Sequence, residues 1–181
     1  MTALYDFSLI FALPDLKADP ASYLDTLFEA GCDDATIGAG RSGMIGLDFS
    51  REAANAEEAV ATAIRDTQNA IPGADLIEAG PDLVNLTDVA SHLGVTKQNI
   101  RKYAAGEIRT INTSFPPPVY SGSPSLWHLY NVALWIKRNT KLRVQSTLLD
   151  ITRETYKKNL ERQKKSLDSC EKPLSQENHG T

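Results

Sequence analysis

The stretch LTDVASHLGVTKQNIRKY, residues 86–103, predicts two short helices joined by a tight turn. Thr87 is the expected N-cap of the first helix, since its hydroxyl can accept a hydrogen bond from a backbone N–H that the first turn leaves unpaired. Gly94 is expected at the turn, where a positive φ is often required. Thr96 is then expected to cap a second helix that directs Ile100 inward. The small Ala90, the turn residue Gly94 and the apolar Ile100 follow one another in the order that predicts a helix-turn-helix motif.

The outward face of the second predicted helix is polar and basic. It consists of Lys97, Gln98, Arg101 and Lys102, with Thr96 at the helix start. These residue types reach phosphates and purine edges, so we expect this face to contact double-stranded DNA. The alternative is an ordinary solvated helix face. The turn glycine, the segment that follows and the charge of this half of the chain favour DNA contact.

The segment after the two helices carries a proline-rich strand pattern, a glycine turn and a further helix. Over residues 83–138 the chain resembles the winged helix-turn-helix proteins of the AlpA, excisionase and MerR-like type. The residues that carry this resemblance are Phe115, Pro116, Pro118, Val119, Gly122, Trp127, Trp135 and Ile136. The resemblance implies a two-stranded wing after the helix-turn-helix. We expect the two tryptophans to belong to the core rather than to stack on bases.

The turn of the predicted wing, Ser121-Gly-Ser-Pro-Ser125, carries no charge. In the family that it resembles this turn is usually basic, so the sequence gives no basis for an arginine inserted into the minor groove. Tyr120, Ser121 and Ser123 are instead candidates for phosphate contact through hydroxyl and backbone N–H groups.

The two halves of the 181-residue chain carry opposite charge. Residues 1–82 hold 4 Lys/Arg and 15 Asp/Glu, a balance of −11, whereas residues 83–181 hold 15 and 8, a balance of +7. Phosphates repel an acidic surface and attract a basic one. This asymmetry is expected of a DNA-binding protein that carries a separate module with another role.

The first half predicts six elements in the order β-α-β-β-α-β. Residues 5–13 alternate apolar and other side chains at period two, as in a strand with one apolar face. The other expected elements are a helix from Asp19-Pro20 to Gly31, strands at 36–38 and 44–49, a helix from Asn55 or Ala56 to Ala70, and a strand at 74–79. We therefore expect an α+β fold: a ferredoxin-like βαββαβ module at 1–80, a winged helix-turn-helix domain at 83–139 and a C-terminal helix.

Residues 140–168 contain neither glycine nor proline and predict that C-terminal helix. Apolar residues recur in it at a spacing near 3.5, namely Leu142, Leu149, Tyr156, Leu160 and Leu167. We expect a homodimer, formed either by this seam or by the free face or edge of the N-terminal sheet. The basic residues of the helix either are solvated or add phosphate contacts, and both readings stay open. Residues 169–181 are predicted to be a disordered tail.

Two patterns that could carry chemistry have plainer interpretations. Gly38-Ala-Gly-Arg-Ser-Gly43 matches G-x-G-x-x-G, but it leads into a strand rather than a helix, so we expect a hairpin turn and not a dinucleotide site. Asp33-Asp34 is expected to be a solvated loop. The three histidines have no partner at metal-ligand spacing. We expect no catalytic residues, no cofactor and no metal.

The sequence therefore predicts a sequence-specific DNA-binding transcriptional regulator, with phage or mobile-element control left open. The alternative is an interaction adaptor or antitoxin whose acidic N-terminal module binds a partner protein or a small ligand. No membrane span or signal peptide is visible. Cys32 and Cys170 are expected to be unpaired thiols of a cytoplasmic protein.

Overall fold

The computed structural model describes the backbone of residues 1–171 and the side chains of all of these except residues 39, 40 and 171. The chain has a mixed α+β fold with a four-stranded antiparallel sheet. The strands lie in the order β2-β3-β1-β4, and all neighbouring strands are antiparallel. Their bounds are β1 Ala3–Ala12, β2 Ala35–Arg41, β3 Met44–Ala53 and β4 Asp75–Gly80.

Two helical segments pack against one face of this sheet. A 3-10 helix at Pro20–Tyr23 runs directly into α1, Leu24–Glu29, and α2 spans Ala56–Ala70. Asn55 caps α2 by accepting a hydrogen bond from the backbone N–H of Glu58 at 2.9 Å. The elements predicted between residues 5 and 79 are therefore present in the predicted order.

Alternation along β1 builds the larger core. Tyr5, Phe7, Leu9 and Phe11 are all buried, while the residues between them are exposed or half-buried. Phe7 stacks on Phe49 of β3 with ring centroids 5.2 Å apart. The opposite face of the sheet carries the alternate residues of β1, among them Asp6, Ser8 and the exposed Leu4, because side chains alternate at a period of two.

The glycine-rich segment 38–43 lies at the hairpin between β2 and β3: residues 38–41 end β2, Ser42 and Gly43 form the turn, and Arg41 pairs with Met44. Gly43 has φ 75°, and a Cβ there would lie 2.5 Å from the carbonyl oxygen of Leu16. Only glycine fits this position without backbone movement.

A second, smaller module contains two short helices joined by a tight turn, followed by a short hairpin and a helix. Its elements are β5 Leu83–Val84, α3 Leu86–Leu93, α4 Lys97–Ala104, β6 Trp127–His128 and α5 Leu129–Asn139. β5 pairs with β6, and a bridge joins Tyr120 to Leu126. The two tryptophans belong to its apolar core, with Phe115 placed edge-on to both rings.

The start of α3 differs from the prediction. The N-cap is Asn85 rather than Thr87, and its side chain accepts hydrogen bonds from the backbone N–H groups of Thr87 and Asp88. Asp88 in turn accepts from the backbone N–H of Asn85 at 3.2 Å. This reciprocal pair is a capping box; Thr87 as the cap would place Ala90 three residues later, where no side chain could accept from the N–H of the cap residue.

The C-terminal helix α6, Ser146–Glu171, begins later and ends later than predicted. Residues 169–171, expected to be disordered, are helical, and residues 172–181 lie outside the described residues. α6 packs on β4, β1, α2 and α5. β4 is the last strand of the sheet, so α6 covers an edge that no strand pairs with.

The predicted apolar seam of this helix is divided within one chain. Leu142 packs into the smaller core and Leu149 is buried at 7% exposure, while Tyr156 stacks on His128. Leu160 and Leu167 remain exposed. The sequence gives Leu149, Tyr156 and Leu160 no obvious surface to be buried against, which favours the C-terminal helix as the dimer surface. In the structure Leu149 and Tyr156 are covered within one chain instead, and Leu160 is exposed.

The Asp33-Asp34 pair also differs from the expected solvated loop. Asp33 is exposed, but Asp34 binds the guanidinium of Arg51 through both carboxylate oxygens, at 2.7 and 2.9 Å. Arg51 is 7% exposed and also contacts Asp66. Burial lowers the pKa of Arg51, but the hydrogen bonds and charges of Asp34 and Asp66 outweigh it and raise that pKa above its ordinary value.

Candidate nucleic-acid interface

The turn between α3 and α4 fixes the direction of α4. Gly94 adopts the left-handed conformation, with φ 64° and ψ 32°, and ends α3. Thr96 caps α4, because its hydroxyl accepts a hydrogen bond from the backbone N–H of Asn99 at 3.3 Å. Ile100 is fully buried in the smaller core. Burial of that side chain leaves the opposite side of α4 facing solvent.

The predicted contact residues of α4 all lie on this solvent-facing side. Lys97, Gln98, Arg101 and Lys102 are exposed. Lys97 and Arg101 are four residues apart and so lie one turn apart on the same face of the helix. α4 packs mainly on α3 and not on the sheet.

A groove of about 370 Å³ brings Lys97 and Arg101 next to two other segments. One is the start of α3, residues 85–87, and the other is the hairpin segment with Pro124, Ser125 and Trp127. The groove therefore combines the cationic side chains of Lys97 and Arg101 with the hydroxyls of Thr87 and Ser125. These are groups that bind phosphate.

A short hairpin follows α4 and is closed by backbone hydrogen bonds. The backbone N–H of Val119 donates to the carbonyl of Leu126 at 2.8 Å, and the N–H of Leu126 donates to the carbonyl of Tyr120 at 2.9 Å. Tyr120, Ser121 and Ser123 are exposed but do not line the groove. Gln98 and Lys102 do not line it either, so the structure divides the predicted residues between the groove and its surroundings.

Sequence reasoning missed several members of this surface. Asn85 and Thr87 line the groove, and their only sequence signal is their capping character at the start of α3. Ser125, which also lines it, ends the Ser121–Ser125 turn that the sequence indicates for phosphate contact. Residues 83–145 contain 8 Lys/Arg and 2 Asp/Glu, a balance of +6. The positive balance of the second half therefore lies mostly in this module.

A larger cleft of about 870 Å³ lies between the polar face of the sheet, α3 and the start of α6. Its carboxylates come from both modules, and they are Asp6, Asp48, Glu78, Asp82 and Asp88. His92 of α3 and Arg143 are its basic side chains. His92 is an exposed residue, but partial desolvation of its ring by the surrounding protein lowers its pKa below its ordinary value, although the charge of Asp88 opposes this shift.

Within residues 1–171, no three His, Cys, Asp or Glu side chains are grouped so that they could hold a metal ion. The same part of the chain contains no helix with the length and apolar character needed to cross a membrane. Cys32 is buried and Cys170 is exposed, and both are free thiols. Burial, the largest influence, raises the pKa of the Cys32 thiol above its ordinary value.

Comparison with known proteins finds no family model, no curated protein and no solved structure that matches this chain.

Proposed function

We propose that the protein is a sequence-specific DNA-binding regulator, with a ferredoxin-like module at residues 1–80 and a winged helix-turn-helix domain at 83–139. The observation that carries this proposal is the exposed basic face of α4, where Lys97 and Arg101 border a groove shared with the hairpin. An α-helix fits into the major groove of B-DNA, which is about 12 Å wide. Arg101 and Gln98 are the residues proposed to contact base edges.

The charge distribution supports the same assignment. The module with α4 has a balance of +6 over residues 83–145, whereas residues 1–82 have −11. Phosphates attract the first and repel the second, so DNA approaches from the side of α4. The resemblance of residues 83–138 to AlpA, excisionase and MerR-like proteins is part of the proposal. We also propose that the protein acts in the cytoplasm and that it is a regulator rather than an enzyme.

We include a homodimer in the proposal, because one short helix contacts only a few base pairs. Each good bidentate contact gives about 1–3 kcal/mol of discrimination, whereas a specific site needs roughly 4–10 kcal/mol over non-specific binding. The exposed Leu160 and Leu167 of α6 are the members of the predicted seam that remain available for pairing.

Selection of sites from randomised duplex DNA by the full chain tests this proposal. We expect one enriched motif, present as two half-sites about one helical turn or a multiple of it apart. Gln98→Ala is expected to relax one position of that motif, while Asn131→Ala, at an exposed position on α5, leaves it unchanged. Recovery of unenriched sequence would contradict sequence-specific binding, and a single half-site would contradict the dimer.

The second candidate function is binding of a partner or small ligand by the acidic module. The observation that favours it is the 870 Å³ cleft, whose carboxylates outnumber its basic side chains. Interfaces between modules are common places for ligands, and this lining suits a cationic group. Titration of the full chain with spermidine, followed by calorimetry, tests it. Saturable binding that is lost in Asp48→Asn supports this function, and heat that does not saturate argues against it.

A further inference from the structure

Asp82 lies in the short connection between β4 and β5, where the sequence indicated a simple module boundary. Its side chain is buried, with the residue 4% exposed. One carboxylate oxygen accepts a hydrogen bond from Nδ1 of His128 at 2.6 Å, and the other accepts from Nδ2 of Asn159 at 2.7 Å. The backbone carbonyl of Asp82 accepts from the N–H of Leu129 at 2.8 Å. The connection is therefore bound to α6 through Asn159 and to the start of α5 through His128 and Leu129.

Asn159 joins α6 to the same place. It is 9% exposed, and its amide pairs with both backbone groups of Ala79, at 2.9 Å for the N–H and 2.8 Å for the carbonyl. Thr155, one turn earlier, donates its hydroxyl to the carbonyl of Pro81 at 2.8 Å. An amide side chain thus occupies the position that a neighbouring strand would take beside β4.

His128 brings in the second module. It is the N-cap residue of α5, and its ring stacks on Tyr156 of α6 with centroids 3.6 Å apart and planes at 23°. The Asp82 junction, consisting of Asp82, His128, Thr155, Tyr156 and Asn159, therefore links the sheet, α6 and the second module.

We infer that the Asp82 junction fixes the orientation of the second module relative to the sheet, with Asp82 and Asn159 acting as positioning residues for DNA binding. Loss of one partner leaves a buried carboxylate without part of its hydrogen bonding and is strongly destabilising, so the contacts of the junction support one another. The effect of the junction on DNA affinity rests on the proposed function, whereas its effect on the orientation of the second module does not.

The charge of the chain explains why orientation matters. The sheet module carries −11 within residues 1–82, and α3 lies between α4 and the cleft that borders the sheet. A closed junction holds the acidic module on the side of α3 away from α4. A broken junction lets that module approach the DNA phosphates, where like charges repel.

The test is a distance measurement between spin labels in the full chain without DNA. Labels at Glu52→Cys and Glu107→Cys report on the two modules from exposed positions, with Cys170→Ser to remove the exposed native thiol. We expect one narrow distance distribution for this parent. Asn159→Ala is expected to broaden it, because loss of a hydrogen bond to the buried Asp82 carboxylate shifts the equilibrium between closed and broken junctions roughly 10- to 100-fold. Asp82→Asn is expected to broaden it as well, because it removes the charge and replaces one of the two acceptor oxygens with a donor.

Matched controls separate the junction from ordinary surface changes. Asp75→Asn and Asn131→Ala make the same chemical changes at exposed positions and should leave the distribution narrow. Thr155→Val keeps the side-chain shape and removes one hydrogen bond, so it replaces the stronger variants if these do not fold. A distribution that stays narrow in all folded junction variants would overturn the inference.

DNA affinity gives the second measurement. Junction variants are expected to lose roughly tenfold in affinity at about 50 mM salt and less at about 300 mM, because salt screens the repulsion of the acidic module. An equal loss at both concentrations would contradict the positioning role. If the parent itself does not bind DNA, the proposed function is wrong, and the distance distributions still decide whether the junction fixes the orientation.

Discussion

Arg51→Met is expected to destabilise the first module strongly. The guanidinium donates to both carboxylate oxygens of Asp34, to Asp66 at 2.9 Å, to Thr62 at 3.1 Å and to the carbonyl of Gly31 at 2.7 Å. Methionine keeps the apolar stem but leaves two carboxylates without their common partner. The variant therefore isolates the polar contribution of Arg51.

The magnitude follows from the burial of the three charges. Removal of one partner from a buried ion pair costs about 3–5 kcal/mol. The side chains of Asp34 and Asp66 keep 27% and 15% exposure, so water can replace part of the lost interaction. We therefore expect a loss of about 2–3 kcal/mol, below the fully buried range.

Urea unfolding followed by circular dichroism measures this loss. Tryptophan fluorescence would report on the other module, because both tryptophans lie there. Arg65→Met is the matched control, because Arg65 contacts the same Asp66 at 3.0 Å but its side chain is 65% exposed. Its expected cost is under about 0.5 kcal/mol. The reasoning is refuted if Arg51→Met costs no more than Arg65→Met.

Three further predictions concern acid, alkali and a turn. The pKa of His92 is lowered in the folded chain, so its neutral form costs no stability above the ordinary pKa of 6.5, and the free energy of unfolding decreases as the pH falls below 6.5. Between neutral pH and about pH 5, the free energy of unfolding should therefore decrease less in His92→Gln than in the native chain; an equal decrease in both would contradict this. The pKa of Cys32 is raised from 9.0 in the folded chain, so the free energy of unfolding decreases as the pH rises above 9.0. Cys32→Ala should reduce this decrease, and equal slopes of the free energy of unfolding against pH in the two proteins would contradict it. Gly94→Ala is expected to cost about 1–2 kcal/mol, because Gly94 has a positive φ but space for a Cβ. Gly43→Ala should cost more, because Gly43 also has a positive φ and its added Cβ would meet the backbone of Leu16. Equal melting temperatures of the two variants would argue against this contact.

Local patterns in the sequence predicted most of the elements. The period-two alternation from Tyr5 to Phe11 is a property of the strand itself, and Asn55 is a cap whatever surrounds it. The start of α3 was misplaced because Asn85 and Thr87 are both good capping residues. The spacing of Asn85 and Asp88 is the feature of the sequence that corresponds to the capping box.

Contacts between distant segments could not be predicted in this way. Nothing in the sequence near Asn159 indicates that its amide pairs with Ala79, 80 residues earlier. The spacing of Leu149 and Tyr156 predicted a buried seam but not its partner, because periodicity describes one helix face and not the surface that covers it. For the same reason, sequence identified the basic face of α4 but not the groove beside it.

The affinity of the full chain for duplex DNA, measured by fluorescence anisotropy over a range of salt concentrations, tests the central claim most directly. Arg101→Ala is the variant and Arg65→Ala, an exposed arginine of the acidic module, is the control. We predict that the logarithm of affinity falls linearly with the logarithm of salt concentration, and that Arg101→Ala loses about 1–3 kcal/mol while Arg65→Ala loses none. Absence of salt-dependent affinity, or equal losses in the two variants, would contradict DNA binding through α4.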